Sequence, residues 1–446
     1  MSSPQPAVHG HLLRVLGAGF GLAVVIGGTI GLGILRSPAV VAGHAGSSSM
    51  ALLLWLLGGV YALLAAASYA DLGTSIARSG GVYVYARSAM GDGAGFLFGW
   101  ADVFSTCSSA AFAAVGFAEF TGLLWPELQP WKNALAVAAI AVFTAVQWRG
   151  VRASAMVEQV GASVKALLFL GLVAGLLFLA PSAPPVLSSD AGLAVPGAVA
   201  MVLAMQLVLG AYDGWAGAVY FTGEDRDPGR NTPRAILSGV STVIIIYLLM
   251  NLALMRVLPF GELASSPLPV ADAARRWLGE QGAGLVTLVA ALSLLPLLNG
   301  TLMVSSRIAH AMASDGLLPG RLADVNPRGT PTPALLCVAA AALALVFASG
   351  GVLNLMLGIG AFFAVFTYAG GFVSLLVLRR RHPQLPRPFR AWWYPWSTWL
   401  VLLGGLALLV GVVTGAPRES GVAVLVLVLA LPLRRFLRGA ASPVGQ

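Results

Sequence analysis

The chain has 446 residues, of which 58% are hydrophobic and 10% are charged. A typical soluble domain carries roughly 25% charged residues, so this chain has too few charges to cover a water-exposed surface. The composition excludes a soluble enzyme, a nucleic-acid-binding protein and a disulfide-rich secreted scaffold, and it predicts a membrane protein.

Apolar runs separated by charged residues, proline or glycine predict 12 transmembrane helices. The runs cover residues 18-43, 50-73, 95-125, 133-149, 157-180, 195-221, 235-258, 284-313, 333-350, 353-378, 395-414 and 420-434. Twelve spans of about 20 residues need about 240 positions, which leaves short loops and no room for a further domain. The sequence therefore predicts an all-α polytopic membrane protein.

The basic residues predict the orientation of these helices. An even number of spans puts both termini on one side, and cytoplasmic connections are rich in lysine and arginine. With the N-terminus inside, 19 of the 26 basic residues fall in cytoplasmic segments, so the net charge of +9 indicates topology and not a nucleic-acid partner. We expect no cleaved signal peptide, both termini in the cytoplasm, and a cell membrane location of the bacterial inner-membrane type.

Two of the predicted helices contain glycine clusters that a simple anchor would not need. The first reads GGTIGLG over residues 27–33 and the second reads GAYDGW over residues 210–215. Glycine costs about 1 kcal/mol relative to alanine inside a helix, and unwound backbone at membrane depth is tolerated only where it lines a cavity. The clusters lie five spans apart, which predicts discontinuous helices 1 and 6 of an inverted-repeat transporter.

Several motifs around these breaks resemble the amino acid-polyamine-organocation (APC) superfamily of transporters, and in particular its L-type amino acid transporter branch. In chain order they are GLGI at residues 31–34, SYADLG at 68–73, SGGVYVY at 79–85, GFLFGW at 95–100, AYDGW at 211–215, TGED at 222–225, NTPRAI at 231–236, NGT at 299–301, SSR at 305–307 and DGLLP at 315–319. The resemblance covers about residues 20–335, and the last four runs match in hydropathy only.

The resemblance implies a five-plus-five inverted repeat with two additional helices. The first repeat would cover residues 18-180, the second 195-378 and the extra helices 395-434, between cytoplasmic termini at 1-17 and 435-446. It also implies Na+-independent transport of L-amino acids by alternating access, as an exchanger or a proton-linked carrier. Neutral amino acids are the expected substrates. Cationic amino acids or polyamines remain the alternative substrates, and no cofactor or metal is expected.

An amino acid zwitterion needs donors for its carboxylate and acceptors for its ammonium, and broken helices supply both from the backbone. The N–H groups of Gly31, Leu32 and Gly33 form the expected carboxylate site. The carbonyls of Thr29, Gly210 and Asp213 form the expected ammonium site. The full predicted substrate site comprises Thr29, Ile30, Gly31, Leu32, Gly33, Gly210, Ala211, Tyr212 and Asp213.

Two positions depart from the pattern that the resemblance implies. Leu32 occupies a place where the family usually has a small hydroxyl residue, so one side-chain contact to substrate is lost. Gly210 occupies the place of a bulky aromatic that closes over the substrate. Either the pocket is enlarged, or another aromatic closes it; the candidates are Phe112, Phe117 and Tyr212.

Lys165 is one of two lysines in the chain and lies inside an apolar run. A lysine at mid-membrane costs about 2.5 to 3.5 kcal/mol, so it should face polar partners in the interior. The resemblance implies that its ammonium replaces the cation of Na+-coupled relatives and bridges spans 1 and 8, where Ser293 is the aligned hydroxyl. It could instead carry a proton, or extend to the cytoplasmic face. Glu224 is assigned with these two to coupling and gating.

Other acidic groups have plainer interpretations. Asp213 could bind a cationic substrate or a proton, or it could cap a half-helix. Asp102 and Glu119 are expected to be paired structural groups, and Glu158 and His44 are expected near the membrane edges.

Two further classes of function have less support in the sequence. The His-x4-Asp spacing of His310 and Asp315 is typical of membrane acyltransferases, in which the histidine is a general base, but no other feature supports an enzyme. A channel would need a symmetric ring of selectivity groups, and none is visible. Cys107 and Cys337 are expected to be free, buried thiols. Because residues 126–133 contain no cysteine, no disulfide-linked heavy chain is expected; the partners are an amino acid and the bilayer, and the oligomeric state is open.

Overall fold

The computed structural model describes residues 11–183, 197–348 and 353–440, and these residues form helices, turns and loops without a β-sheet. The α-helices are α1 Ala18–Thr29, α2 Leu32–Ala45, α3 Ser48–Ser75, α4 Val82–Met90, α5 Asp92–Leu124, α6 Lys132–Trp148, α7 Val151–Ala174, α8 Ala198–Ala211, α9 Pro228–Val257, α10 Phe260–Ser265, α11 Pro269–Leu278, α12 Glu280–Ser314, α13 Thr332–Ala348, α14 Leu353–Arg381, α15 Trp396–Gly415 and α16 Pro417–Ala440. Short 3-10 segments cover Pro126–Trp131, Gly217–Phe221 and Gly320–Ala323, and a π-helical turn covers Gly175–Leu179.

Within the described ranges, seven helices are long and apolar enough to cross a membrane: α3, α5, α7 with its π-helical end, α9, α12, α14 and α15. The pair α1 and α2 qualifies as an eighth span that is bent by 48° at its break. Helices α8 and α13 are apolar but shorter. The all-α polytopic fold is confirmed, whereas the count of 12 spans stays a prediction.

The predicted runs fall on the observed helices with shifts of a few residues. The first repeat, 18-180, contains α1 to α7, and the second, 195-378, contains α8 to α14. The predicted termini at 1-17 and 435-446 and the start of the second repeat lie partly outside the described residues. The division into two inverted repeats therefore stays a prediction.

Small residues allow the helices around the two breaks to approach closely. A Cβ at Gly58 of α3 would lie 2.3 Å from Val208 of α8, and one at Gly59 would lie 2.8 Å from Ile244 of α9. Membrane helices pack through such small residues because apolar lipid gives them no hydrophobic drive to associate. Helix α1 in turn packs against α7, α9 and α12, so the first break lies inside the bundle.

Candidate substrate site

The first break interrupts the helical structure for two residues inside the first membrane span. Helix α1 ends at Thr29, Ile30 and Gly31 have extended backbones, and α2 begins at Leu32 with no side chain capping it. A helix end leaves its last four carbonyls and its first four N–H groups without partners in the helix. The break therefore offers backbone acceptors on one side and backbone donors on the other.

The second break follows α8 and lies directly against the first. After Ala211 the chain turns through residues 212–216 before the 3-10 segment. Gly214 has a φ of +114°, and a Cβ there would lie 2.6 Å from the carbonyl carbon of Gly28. Only glycine permits both this conformation and this close approach. The structure confirms the first discontinuous helix, shows that α8 ends at the second glycine cluster, and brings the two breaks into contact.

A tyrosine that the sequence analysis missed joins the two breaks. Tyr247 of α9 is completely buried, and its hydroxyl lies 2.9 Å from the Thr29 carbonyl oxygen and 3.0 Å from the Ala211 carbonyl oxygen. Each acceptor belongs to the last residue of a half-helix. The carbonyl of Thr29, one of the predicted ammonium acceptors, therefore already has a protein partner on one of its two lone pairs. The Thr29 hydroxyl is buried without a partner.

A cavity of about 680 Å³ opens beside the breaks. Gly28, Gly33, Gly210, Ala211 and Asp213 line it together with aromatic side chains. The aromatic residues of its lining are Tyr61, Phe112, Trp215, Tyr220, Tyr368 and Phe372. This volume and this lining suit a small amphipathic molecule with a polar backbone and a variable side chain.

Gly210 lines the cavity, and a Cβ there would meet no atom within 4 Å. Of the three aromatics considered as substitutes for the missing gate, Phe112 lines the cavity. Tyr212 instead packs on Trp55 and Tyr247 and donates its hydroxyl to the Trp55 carbonyl at 3.1 Å. Phe117 packs against the apolar cluster between α5, α6 and α12. Gly210 leaves open space beside the cavity, and Phe112 is the one of these three aromatics that lines it.

Three acidic side chains, Asp102, Glu158 and Asp213, are among the polar groups that line the cavity. Asp213 accepts the backbone N–H of Gly214 at 2.8 Å and the hydroxyl of Tyr368. Asp102 accepts the hydroxyl of Tyr220 at 3.1 Å through one oxygen, and its other oxygen is buried without a partner. No arginine or lysine is among the described residues that line the cavity. Asp102 is paired with Tyr220, as expected, but only through one of its two carboxylate oxygens.

Lys165 of α7 lies in the interior, with 2% of its surface exposed. Its ammonium donates to the carbonyl oxygen of Gly27 at 2.8 Å and to that of Ser293 at 2.9 Å. The Gly27 acceptor is one of the carbonyls left without a partner where α1 ends. The lysine thus joins the first break to α12 and does not extend to the membrane surface. The Ser293 hydroxyl is not part of this bridge, because it donates to the Ala290 carbonyl at 2.8 Å.

Glu158 lies close to this bridge, and its expected place at a membrane edge was wrong. It is 1% exposed, accepts the side-chain amide of Asn299 at 2.7 Å, and leaves its second oxygen buried without a partner. A Cβ at Gly27 would lie 2.6 Å from that second oxygen. The carboxyl group therefore faces the same end of α1 that Lys165 holds.

One end of the bundle is closed by a buried ion pair. Glu224 and Arg307 are both completely buried, and the guanidinium makes two hydrogen bonds of 3.1 Å to the carboxylate. The backbone N–H of Leu16 also donates a hydrogen bond of 3.0 Å to the backbone carbonyl oxygen of Glu224. The segment before α1 is thereby fixed to the chain that follows the second break. The positive-inside rule predicts that this end is cytoplasmic.

The proposed acyltransferase pair does not form. Asp315 is bound by Arg78 at 2.8 Å, by Arg87 at 3.0 Å and by the hydroxyl of Tyr83 at 2.8 Å. Tyr83 lies on α4, and burial of its phenol raises its pKa. The Nδ1 of His310 is buried with no partner. Asp315 therefore ties α4 to the end of α12 and does not orient a catalytic histidine.

The two cysteines are free, as expected. Cys107 is buried beside Ser305, but Cys337 of α13 is exposed on the helix surface. The expectation that both are buried was wrong for Cys337, since an apolar position in a membrane helix can face either lipid or protein.

An all-helical membrane bundle with two touching helix breaks and a cavity beside them is a transporter architecture. The amino acid permease family matches residues 21–431, and the chain belongs to this family, within the APC superfamily. Its function is amino acid transport and it is not an enzyme, which overturns the acyltransferase alternative.

Curated relatives agree with this family. The chain is 31% identical to Asc-type amino acid transporter 1 of Mus musculus over 95% of its own length and 81% of the relative. It is 30% identical to b(0,+)-type amino acid transporter 1 of Mus musculus, covering 85% and 79%. It is 27% identical to the serine/threonine exchanger SteT of Bacillus subtilis (strain 168), covering 95% and 96%.

Proposed function

We propose that this protein is a Na+-independent transporter that exchanges neutral L-amino acids by alternating access. The observation that carries this proposal is the Lys165 bridge. Its ammonium already binds two carbonyls, those of Gly27 at the first break and Ser293 of α12. Backbone carbonyls of this kind are the ligands that a bound Na+ would require, so a fixed charge performs the cation's structural role.

The backbone at the breaks supports binding of a zwitterion. The uncapped start of α2 at Leu32 presents N–H groups and the positive end of a helix dipole to a carboxylate. The remaining carbonyl lone pairs near Thr29 and the acceptors of the second break lie opposite and suit an ammonium group. The space at Gly210 then receives the side chain.

Serine or alanine exchange across proteoliposomes tests Na+ independence. We expect uptake into vesicles preloaded with the same amino acid to change less than two-fold when choline replaces Na+. Loss of ten-fold or more would contradict the proposal.

The variant Lys165→Ala tests the bridge itself, because it removes the ammonium that donates to both carbonyls. We expect at least a ten-fold loss of exchange in a variant that is still folded by size-exclusion and thermal unfolding. Lys132→Ala, which changes the only other lysine of the chain, is the matched control and should exchange normally. Normal exchange by Lys165→Ala would remove the role assigned to the bridge.

A second substrate class is favoured by one observation. The cavity lining contains Asp102, Glu158 and Asp213 and, among described residues, no lysine or arginine. Such a cavity attracts a positively charged side chain, as in cationic amino acids or polyamines. Competition of serine uptake by leucine, arginine and a diamine separates the two classes, and strong competition by arginine alone would favour the cationic one.

The proposal extends to the orientation of the protein in the membrane and to its partners. Both termini are proposed to be cytoplasmic in a cell membrane of the bacterial inner-membrane type, which rests on the distribution of basic residues. We also propose that no disulfide-linked heavy chain is needed, because residues 126–133 contain no cysteine and the two thiols lie within helices α5 and α13.

A further inference from the structure

A basic pocket lies away from the substrate cavity, where α14 ends and the connection to α15 returns. It has a volume of about 490 Å³ and contains four arginines. These are Arg379, Arg380, Arg387 and Arg390. Four positive side chains in one pocket repel each other unless anions balance them.

The chain itself supplies only part of this balance. Asp71 of α3 is completely buried and accepts from Arg379, from Arg387 at 3.1 Å and from the backbone N–H of Ala391 at 2.8 Å. One carboxylate thus faces four guanidinium groups. Arg380 and Arg390 are exposed and make no ion pair within the described ranges. The pocket keeps a surplus of about three positive charges by this count.

One donor in the pocket is buried and unused. Arg379 lies over the ring of Tyr394 at 4.2 Å and pairs with Asp71, but its Nε has no hydrogen-bond partner. Buried guanidinium donors are nearly always satisfied, so Asp71 leaves this guanidinium incompletely paired. Arginine donors match the oxygens of a phosphate group in geometry and charge.

The surroundings of the pocket are those of a membrane interface. Trp399 lines the pocket, and the exposed side chains of α15 continue from it at helical spacing. The exposed fractions are 77% for Trp396, 39% for Trp399, 56% for Leu400 and 60% for Leu403. Residues spaced by three or four share one helix face, so an apolar stripe leads from the arginines along the surface of α15. Tryptophan at such a level is typical of the lipid headgroup region.

We propose that this pocket binds the phosphate of an anionic phospholipid, whose acyl chains lie along the α15 stripe. The phosphate contacts the exposed guanidinium groups of Arg380 and Arg390. By the predicted topology this lipid belongs to the cytoplasmic leaflet. The bound lipid holds the connection of residues 382–395 and anchors α15 to the end of α14.

Native mass spectrometry of the full-length protein, delipidated in detergent, tests the proposal. We expect phosphatidylglycerol to bind at least ten-fold more tightly than phosphatidylcholine with the same acyl chains, and to raise the temperature of thermal unfolding. The double variant Arg380→Gln with Arg390→Gln should lose that difference. Arg321→Gln with Arg328→Gln removes two exposed arginines of the same predicted face outside the pocket, and this control should keep it.

Two further probes distinguish the source of the phosphate. Inorganic phosphate and glycerophosphoglycerol, which lack acyl chains, should fail to displace phosphatidylglycerol at millimolar concentration. Displacement by either would mean that the pocket binds a soluble anion and would overturn the lipid assignment. Equal binding of the two lipids, or an unchanged preference in the Arg380 and Arg390 variant, would overturn the proposal as well.

Discussion

Two side chains, Lys165 and Tyr247, donate hydrogen bonds to backbone carbonyls that have no partner within the helix because α1 ends there. Where α1 ends, Gly27 and Thr29 keep carbonyls that no later N–H of the helix reaches. The lysine binds the first at 2.8 Å and the tyrosine binds the second at 2.9 Å. An unsatisfied carbonyl at membrane depth costs several kcal/mol. Each side chain therefore stabilises the break while tying it to a different neighbouring helix.

At the same scale, Gly210 sets the size of substrate that the cavity admits. The variant Gly210→Phe places a ring where a Cβ now meets no atom within 4 Å. We expect large substrates to lose more than ten-fold in apparent affinity, because exclusion of a ring-sized volume exceeds the roughly 1 to 3 kcal/mol of one methylene. Serine and alanine should lose less than three-fold.

The comparison is made by competition assays on one reconstituted preparation, so that differences in expression cancel. Equal losses for small and large amino acids would show that Gly210 does not contact the substrate side chain.

At the scale of elements, α2 begins so close to the end of α8 that no side chain fits between them. A Cβ at Gly33 would lie 3.0 Å from the Ala211 Cα, which is backbone and cannot rotate away. We expect Gly33→Val to push the two half-helices apart and to reduce substrate binding at least ten-fold. Isothermal titration or a scintillation proximity assay on purified protein measures this directly.

Gly19 of α1 offers a matched control in the same span, because a Cβ there meets nothing within 4 Å. Gly19→Val should bind substrate normally, since valine forms helix at least as well as glycine. If Gly33→Val bound substrate as well as Gly19→Val does, the contact between α2 and α8 would not define the site.

The sequence predicted the elements better than it predicted their contacts. Glycine clusters marked both breaks, because only glycine tolerates the φ of +114° at Gly214 and the approach to Gly28. Tyr247 gave no such signal, since a tyrosine in an apolar helix can pack anywhere. Glu158 and Cys337 were misplaced for a common reason. Lipid and protein interior are both apolar, so hydropathy identifies a span but not which face of it is buried.

At the scale of the whole molecule, an ion pair at one end of the bundle is buried and an ion pair at the other end is exposed. The Glu224–Arg307 pair is completely buried, whereas Glu262 and Arg276 at the other end form a pair that is 56% and 36% exposed. Breaking a buried pair costs about 3 to 5 kcal/mol, and an exposed pair contributes about 0 to 1 kcal/mol. We propose that separation of the Glu224–Arg307 pair makes opening of this end the more costly half of an alternating-access cycle.

Two matched variants test this asymmetry. Glu224→Gln removes the carboxylate charge beside a buried guanidinium, and we expect a clear fall in the temperature of thermal unfolding and at least a ten-fold loss of exchange. Glu262→Gln makes the same chemical change at the exposed pair and should alter both quantities little. Similar effects of the two variants would show that the buried pair does not control closure.

The ammonium of Lys165 also has an electrical consequence. A Na+ ion that binds and leaves with the substrate carries its charge across the membrane, whereas a charge on a side chain held by two carbonyls stays with the protein. A membrane voltage supplies about 2.3 kcal/mol for each charge that crosses 100 mV. A zwitterion has no net charge, so its passage beside a fixed ammonium moves no net charge and gains no energy from the voltage. Accumulation of neutral amino acids would then depend on the concentration of the amino acid that leaves, and the voltage would act only on substrates that carry a net charge of their own.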